Sequence, residues 1–250
     1  MRLNRGNKMG IFAKFLELVY PPRCSLCQAF LTDCKGGIIH FCDACLNSLV
    51  KISSPRCPVC GTPFVSKVEE DHLCGECLKK RPYFDALAAP YLYEGGIMHA
   101  IHQVKYHGKT HIAESLGGLL APFARERFGE TKGFLMMPVP LHPRRLRERG
   151  FNQSLVLAGS VGPVLGTRLD FMSLRRVKYT QPQTGLKRDE RQRNVKGAFG
   201  IGGSPDLKGK TIILVDDVAT TGNTLNECAR VLKKAGCNRV YCLTLARAVY

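Results

Sequence analysis

The chain has 250 residues, with 37 lysines and arginines against 20 aspartates and glutamates, which gives a formal charge of +17 at pH 7. Its 44% hydrophobic and 23% charged residues exclude a disordered or collagen-like chain, and its length allows one large or two modest domains. It also contains twelve cysteines and no tryptophan, so a folded, basic and cysteine-rich protein remains.

The sequence predicts an amphipathic N-terminal segment over residues 1–20, within which either Met1 or Met9 fits a translation start. Lys14 and Glu17 interrupt its apolar run, and no Ala-x-Ala cleavage site follows. Nowhere does the chain approach the roughly 18 consecutive apolar residues that span a bilayer. We therefore expect a cytoplasmic protein without a membrane span.

Eight of the cysteines form four C-x-x-C pairs, and Cys34 stands apart from them. Because the cytoplasm keeps thiols reduced, this pattern favours zinc, with a redox or disulfide cluster as the alternative. A closed site of four cysteines holds a fold and does no chemistry. We predict a double zinc ribbon over residues 21–80 with two structural Zn²⁺ ions. The first ion would be held by Cys24, Cys27, Cys42 and Cys45, and the second by Cys57, Cys60, Cys74 and Cys77.

The spacing of the pairs bears on how they share the metal. Fourteen residues separate the first two pairs and thirteen the last two, just under the usual zinc-ribbon spacing of about 15–20. The shared layout of both halves indicates an internal duplication. This symmetry favours one zinc in each half over an interleaved cross-brace of alternate pairs, although the sequence leaves both arrangements open.

Histidines and aromatic residues cluster after the cysteines. His99, His102, His107 and His111 include helical spacings, but a solvated or phosphate-facing role is favoured over a metal site. We expect His102, Lys105 and Tyr106 to border a ligand cleft. Six aromatic side chains offer stacking faces for single-stranded DNA, although filling the core is the favoured alternative for them. They are Tyr83, Phe84, Tyr91, Tyr93, Tyr106 and Phe151.

The middle of the chain is strongly basic. A buried strand is predicted at residues 135–141, and the windows 142–149 and 175–196 after it hold twelve of the 37 basic residues against three acidic ones. Arginine suits bidentate phosphate contacts, and a basic field attracts polyanions. So many cations exceed what one small phosphate ligand needs, and they indicate a longer polyanion, most simply single-stranded DNA. The candidate phosphate or polyanion residues are Lys105, Arg144, Arg145, Arg149, Arg188 and Arg191.

The C-terminal part predicts a strand at 211–215, a polar loop, a helix that ends at Gly236, and a second strand at 240–246. Asp216 and Asp217 stand at the carboxyl end of the first strand, where carboxylates can accept hydrogen bonds from ribose hydroxyls. The loop places hydroxyls and a glycine at a helix N-terminus, which favours phosphate. The pattern thus predicts a sugar-phosphate site whose phosphate-binding residues are Val218, Ala219, Thr220, Thr221, Gly222, Asn223 and Thr224.

The string ILVDDVATTGNT resembles the phosphoribosyl-pyrophosphate (PRPP) loop of type I phosphoribosyltransferases. With PVPLHPRRLRERGFNQS, the cysteine pairs and the QTGL segment, the chain from about Pro21 is similar to the ComF family of competence-associated proteins. Members of that family join an N-terminal zinc ribbon to a phosphoribosyltransferase-like domain.

The resemblance implies an α/β fold, with a type I phosphoribosyltransferase-like parallel sheet flanked by helices over residues 81–250. Asp216 and Asp217 would take the catalytic position, binding ribose hydroxyls and helping to hold Mg²⁺ with PRPP, while residues 220–224 hold the 5′-phosphate. The 140–149 segment would form the pyrophosphate loop, and residues 179–196 would close over the substrate.

The resemblance and the basic excess together imply a protein that handles single-stranded DNA during competence-related DNA uptake. A competence helicase or other DNA-processing proteins would be its partners. Two alternatives are an active, Mg²⁺-PRPP-dependent phosphoribosyltransferase of nucleotide metabolism and a PRPP-sensing regulatory module. No segment that selects a particular nucleobase is recognisable, so the acceptor base is left open.

Overall fold

The computed structural model describes residues 21–31, 41–64, 69–180 and 193–249. The strands are β1 (Ala86–Ala88), β2 (Tyr91–Leu92), β3 (Leu135–Pro138), β4 (Arg168–Leu169), β5 (Leu174–Arg176), β6 (Phe199–Ile201), β7 (Thr211–Ala219) and β8 (Arg239–Arg247). The helices are α1 (Asp43–Asn47), α2 (Gly75–Lys79), α3 (Gly95–His107), α4 (Thr110–Phe128), α5 (Pro143–Arg149), α6 (Gln153–Leu165) and α7 (Asn223–Lys234).

A parallel sheet with the order β1-β8-β7-β3-β4 forms the centre, and β2 also pairs with β8. Alternate residues of β7 point to opposite faces. Ile213 and Val215 join one apolar cluster with α3, α4 and α6, whereas Ile212 and Leu214 join another with α7. Because both faces are covered by helices, the central strands read as continuous apolar runs. The predicted α/β class with a parallel sheet flanked by helices is confirmed.

The two cysteine-rich halves pack against opposite faces of this sheet. Cys24 and Leu49 belong to the cluster with α3, α4 and α6, while Cys57 and Cys77 belong to the cluster with α7. The link between the halves runs along β2, where Leu92 N–H donates to Val50 O at 2.9 Å. Since both clusters draw side chains from the cysteine-rich part and from the sheet, the division at 21–80 and 81–250 stays a prediction.

Two elements differ from the sequence-based expectation. The strand predicted at 211–215 continues to Ala219, because Asp216 pairs with Thr244 and Val218 with Ala246 of β8. The strand predicted at 135–141 ends at Pro138. An antiparallel pair of β5 and β6 was not predicted, and it brackets the chain between residues 177 and 198.

Among the residues that the structure describes, none of the helices combines the length and the apolar character that crossing a lipid bilayer requires.

Candidate functional site

The eight paired cysteines form two four-sulfur clusters. In each, the sulfur atoms lie within 4.8 Å of one another, with Cys27 Sγ 3.6 Å from Cys42 Sγ and Cys60 Sγ 3.5 Å from Cys74 Sγ. Four thiolates around zinc, each at about 2.3 Å, would stand about 3.8 Å apart, so both clusters fit a tetrahedral Zn²⁺. The first cluster contains the first two pairs and the second contains the last two. The sequential arrangement is therefore confirmed over the cross-brace. Cys34 lies outside the described residues.

The backbone of the two halves repeats, as an internal duplication predicts. Cys24 N–H donates to Ala29 O at 2.8 Å, and Cys57 N–H donates to Thr62 O at 2.8 Å. Gln28, with φ 63°, corresponds to Gly61, with φ 68°. Only glycine fits at the second position, because a Cβ there would lie 2.8 Å from the carbonyl oxygen of Leu87 in β1.

Hydrogen bonds at each cluster favour the thiolate that zinc requires. Burial opposes ionisation of Cys24, but backbone N–H groups of Cys27, Cys42 and Leu26 lower its pKa to about 6. Burial likewise opposes ionisation of Cys60, yet hydrogen bonds from the hydroxyl and the backbone of Thr62 help to lower its pKa to about 7. Burial and the neighbouring thiols raise the pKa values of Cys45 and Cys77 in the same clusters, so the hydrogen bonds favour one thiolate in each cluster.

A cleft of about 350 Å³ opens at the carboxyl ends of β3 and β7, within the size range of small-molecule sites. The end of β7 and the loop after it form one wall, α3 forms a second, and α5 with the start of α6 forms a third. Arg176 at the end of β5, with Tyr179 and Thr180 after that strand, completes the lining of the cleft. This is the edge at which open α/β sheets bind their ligands.

The two carboxylates predicted from the sequence stand together in this cleft. Asp216 Oδ1 accepts hydrogen bonds from Ser154 Oγ at 2.8 Å and from Asp217 N–H at 2.9 Å. Asp217 is 5% exposed and forms an ion pair with Lys105, with 3.0 Å between Oδ2 and Nζ. Lys105, predicted as a polyanion contact, therefore neutralises this buried carboxylate in the ligand-free protein.

Burial and neighbouring charges shift the pKa values of Asp216 and Lys105. Burial and the neighbouring Asp217 raise the pKa of Asp216 to about 7, although Lys105 and Ser154 oppose this shift. Burial alone would lower the pKa of Lys105, but Asp217 and Asp216 raise it above its ordinary value. The ammonium group therefore stays charged, and the cleft can exchange a proton near neutral pH at Asp216.

The predicted phosphate loop links β7 to α7. Gly222 is the N-cap of α7 with φ 76°, a left-handed conformation that glycine adopts without strain, and it places no side chain over the first turn. Of the seven predicted loop residues, the cleft is lined by Val218, Ala219, Thr220, Gly222, Asn223 and Thr224, but not by Thr221. Val218 and Ala219 do so from the end of the strand.

The predicted basic residues separate in the structure. Arg145 and Arg149 line the cleft from α5, and Arg149 is held by a hydrogen bond to Gln153 Oε1 at 2.8 Å. Arg144 lies outside the lining, with its guanidinium over the ring of Tyr179. Arg188 and Arg191 lie outside the described residues.

Other cleft residues were missed or only partly anticipated from the sequence. Ser154 and Arg176 line the site, and their signals were their places in the GFNQS string and in the second basic window. His102 lines it as predicted and shares a hydrogen bond with Tyr93, with 3.0 Å between Nε2 and the phenolic oxygen. Among the described residues, the groups of three or more cysteine, histidine, aspartate or glutamate side chains close enough to hold one metal ion are the two cysteine clusters, and neither contains a histidine.

Similar proteins agree with this arrangement. The domain family described as a double zinc ribbon domain matches residues 15–78, and the one described as a phosphoribosyl transferase domain matches residues 152–248. The "DNA utilization protein YhgH" of Salmonella typhimurium is 32% identical over 235 residues, covering 93% of this chain and 100% of that protein. The chain belongs to the ComF family of competence-associated proteins.

Further ComF-family relatives extend the comparison. "Competence protein F" of Haemophilus influenzae is 32% identical and covers 90% of this chain and 97% of its own. "Competence protein ComFC" of Bacillus subtilis is 28% identical and covers 78% of each chain. These relatives and the two domain matches show that this ComF-family chain joins a double zinc ribbon to a phosphoribosyltransferase-like domain.

Proposed function

We propose that this ComF-family protein binds PRPP, or a related sugar phosphate, in the cleft between Asp216 and the loop at the start of α7. The observation that carries the proposal is the pairing of two carboxylates with a helix N-terminus and two arginines in one cleft. Carboxylates accept hydrogen bonds from ribose hydroxyls, while the N-terminus of α7 and the arginines attract phosphate oxygens.

Mg²⁺ fits this donor set. Mg²⁺ is commonly held by one or two carboxylates together with substrate phosphates. Asp216 and Asp217 are adjacent in the cleft wall and would hold the ion with PRPP. The ion would supply charge neutralisation for the pyrophosphate, and the chain itself would orient the ribose and the 5′-phosphate.

The same protein, we propose, handles single-stranded DNA in the cytoplasm during DNA uptake, in contact with other DNA-processing proteins. The support is the charge of +17 and the side chains of Arg145 and Arg149, which line the cleft from α5. The printed names of its relatives, "DNA utilization protein" and "Competence protein", agree with such a role. A phosphate backbone would be attracted electrostatically and without sequence preference.

Binding of Mg²⁺-PRPP is expected to strengthen as the pH rises through 7. Asp216 must lose its proton to accept the ligand, and its pKa lies near 7. Below that pH we expect affinity to fall by up to about tenfold per pH unit. Because the folded protein raises the pKa of Asp216 from its ordinary 3.8 to about 7, the stability of the ligand-free protein falls as the pH rises between these two values. Calorimetry at pH 6 and pH 8 in buffers of different ionisation enthalpy measures both affinity and proton release.

Protons released by the ligand's own phosphates are measured without protein and subtracted. An affinity that stays constant between pH 6 and pH 8 after this subtraction would contradict the assignment of Asp216. Absence of binding at both values would sink the proposed sugar-phosphate site itself.

Single-stranded DNA binding is expected to depend steeply on salt through Arg145 and Arg149. Removing each phosphate contact should reduce the slope of log affinity against log salt by about 0.7. The matched control is Arg127→Ala, since Arg127 is exposed at the end of α4 and lies outside the cleft lining. Fluorescence anisotropy with a labelled oligonucleotide at 50 to 300 mM salt measures the slopes. Equal slopes for wild type and Arg145→Ala/Arg149→Ala would remove the cleft from the DNA path.

A further inference from the structure

Arg247, the last residue of β8, lies between the second cysteine cluster and the phosphate loop. Its side chain is buried, with 8% of the residue exposed. On one side its Nη1 donates to Ala219 O at 2.9 Å and also to Thr220 O. On the other side its Nε donates to Cys60 O at 3.1 Å, and its Nη2 donates to Thr62 Oγ1 at 3.0 Å. The turn at residues 57–62, which carries Cys57 and Cys60 of the second cysteine cluster, is called the 57–62 knuckle. One guanidinium therefore holds both this knuckle and the first residues of the phosphate loop.

The direction of the hydrogen bonds extends this contact to the metal ligand. A guanidinium can only donate, so Thr62 Oγ1 accepts from Arg247 and keeps its own hydroxyl hydrogen for another acceptor. Cys60 Sγ lies 3.2 Å from the same oxygen. A zinc-bound thiolate is an acceptor, and hydrogen bonds to metal ligands commonly orient them. The chain of contacts thus runs from Cys60 Sγ through Thr62 and Arg247 to the carbonyls of Ala219 and Thr220.

The first half of the duplication lacks this connection. Ala29 occupies the place of Thr62 in the repeated hydrogen-bond pattern and has no hydroxyl. The first cysteine cluster also lies on the opposite face of the sheet, where it packs with the apolar residues of α3, α4 and α6. The threonine is thus present in the 57–62 knuckle, which contacts Arg247, and absent from the corresponding turn of the first half. A role in zinc binding alone does not account for this difference between Thr62 and Ala29.

We propose that Arg247 and Thr62 couple zinc at the second cluster to the geometry of the phosphate loop. Arg247 is a positioning residue, which fixes the carbonyls of Ala219 and Thr220 so that the N–H groups after them face the ligand. Coupling is reciprocal, so an occupied loop should also retain zinc more firmly at the second cluster. The effect of the ligand on zinc retention rests on the proposed sugar-phosphate binding. The positioning of the loop by Arg247 is a property of the ligand-free protein.

The test compares Thr62→Val, which keeps the shape and removes the hydroxyl, with Thr62→Ser, which keeps the hydroxyl. Hydrogen exchange of the ligand-free protein should show faster exchange of loop amides 220–224 in Thr62→Val, with α4 unchanged. Zinc release to a chromogenic chelator should have two phases, of which one becomes about tenfold faster. In the wild type, saturating Mg²⁺-PRPP should slow that same phase by about fivefold or more, and in Thr62→Val this effect should disappear.

Thr62→Ser should resemble the wild type in each measurement, and Arg247→Lys should resemble Thr62→Val. Loop exchange that is unchanged in both Thr62→Val and Arg247→Lys overturns the coupling. Faster zinc release with unchanged loop exchange also overturns it, because Thr62 would then serve the metal alone. Failure of the wild type to bind Mg²⁺-PRPP overturns the proposed function and the ligand effect on zinc, while loop exchange still decides the role of Arg247.

Discussion

Asp217→Asn is expected to weaken Mg²⁺-PRPP binding about 100-fold, because a charge-assisted hydrogen bond contributes roughly 1.5–3 kcal/mol. The same change should lower the free energy of unfolding by about 3 kcal/mol. Asp217 is buried against Lys105, and its loss leaves that ammonium group without its nearest counter-charge. Asp216 also attracts Lys105, which keeps the expected loss at the lower end for a broken buried ion pair.

Lys105→Met separates these two effects. Alone, it should also destabilise the protein, since two adjacent carboxylates would then lie in the cleft without a cation between them and α3. In the double variant Asp217→Asn/Lys105→Met both charges are gone, so stability should return towards that of the wild type. Binding should not return, because the carboxylate that accepts the ligand is still missing.

Urea denaturation measures the stabilities of the four proteins, and calorimetry measures their affinities for Mg²⁺-PRPP. An Asp217→Asn protein that is destabilised but binds as tightly as the wild type would show that Asp217 serves the fold alone. A double variant that regains binding would show that Lys105, rather than the lost carboxylate, had limited it.

Local sequence patterns were sufficient to predict which cysteines form the two clusters and where the acidic pair stands. Each C-x-x-C pair brings its two sulfurs together within one turn, and Asp216 is followed directly by Asp217 and then by the loop. Such short-range groupings survive any arrangement of the rest of the chain. The duplication favoured the sequential grouping of the cysteines without deciding it, and the structure shows that grouping, with each half making its own backbone hydrogen bonds.

Contacts between distant parts of the chain could not be predicted in this way. Ser154 reaches Asp216 only because α6 packs beside β7. Arg247 reaches Thr62 only because the 57–62 knuckle lies against β1. The extension of β7 to Ala219 depends on pairing with β8, which overrides the loop character of two aspartates. The sequence could indicate which polar and charged residues border the cleft, but the residues that support them depend on tertiary packing.

Loss of zinc is expected to affect the two clusters differently. At the second cluster, Cys57 is 1% and Cys77 is 4% exposed, and both pack with Phe84 and Leu87 under the sheet. Structural zinc contributes roughly 10–16 kcal/mol in small zinc domains, comparable to the whole stability of about 5–15 kcal/mol of a folded protein. We therefore expect Cys57→Ser to prevent accumulation of folded protein.

Cys27→Ser is the matched variant at the first cluster. Cys27 is exposed, and the apolar cluster on that face is completed by α3, α4 and α6 without it. We expect this variant to fold with one zinc ion per chain, where the wild type has two, and to melt at a lower temperature. Elemental analysis after gel filtration gives the zinc content, and circular dichroism gives the melting curve.

The order of the two effects is the decisive comparison, because each variant changes one sulfur to one oxygen and the two sites have the same ligands. Their environments differ in burial, so the second site should be the more costly to lose. If Cys57→Ser folds with wild-type melting while Cys27→Ser does not, the second ribbon is not part of the core that supports the cleft. If both fold with two zinc ions bound, then neither cysteine is a metal ligand.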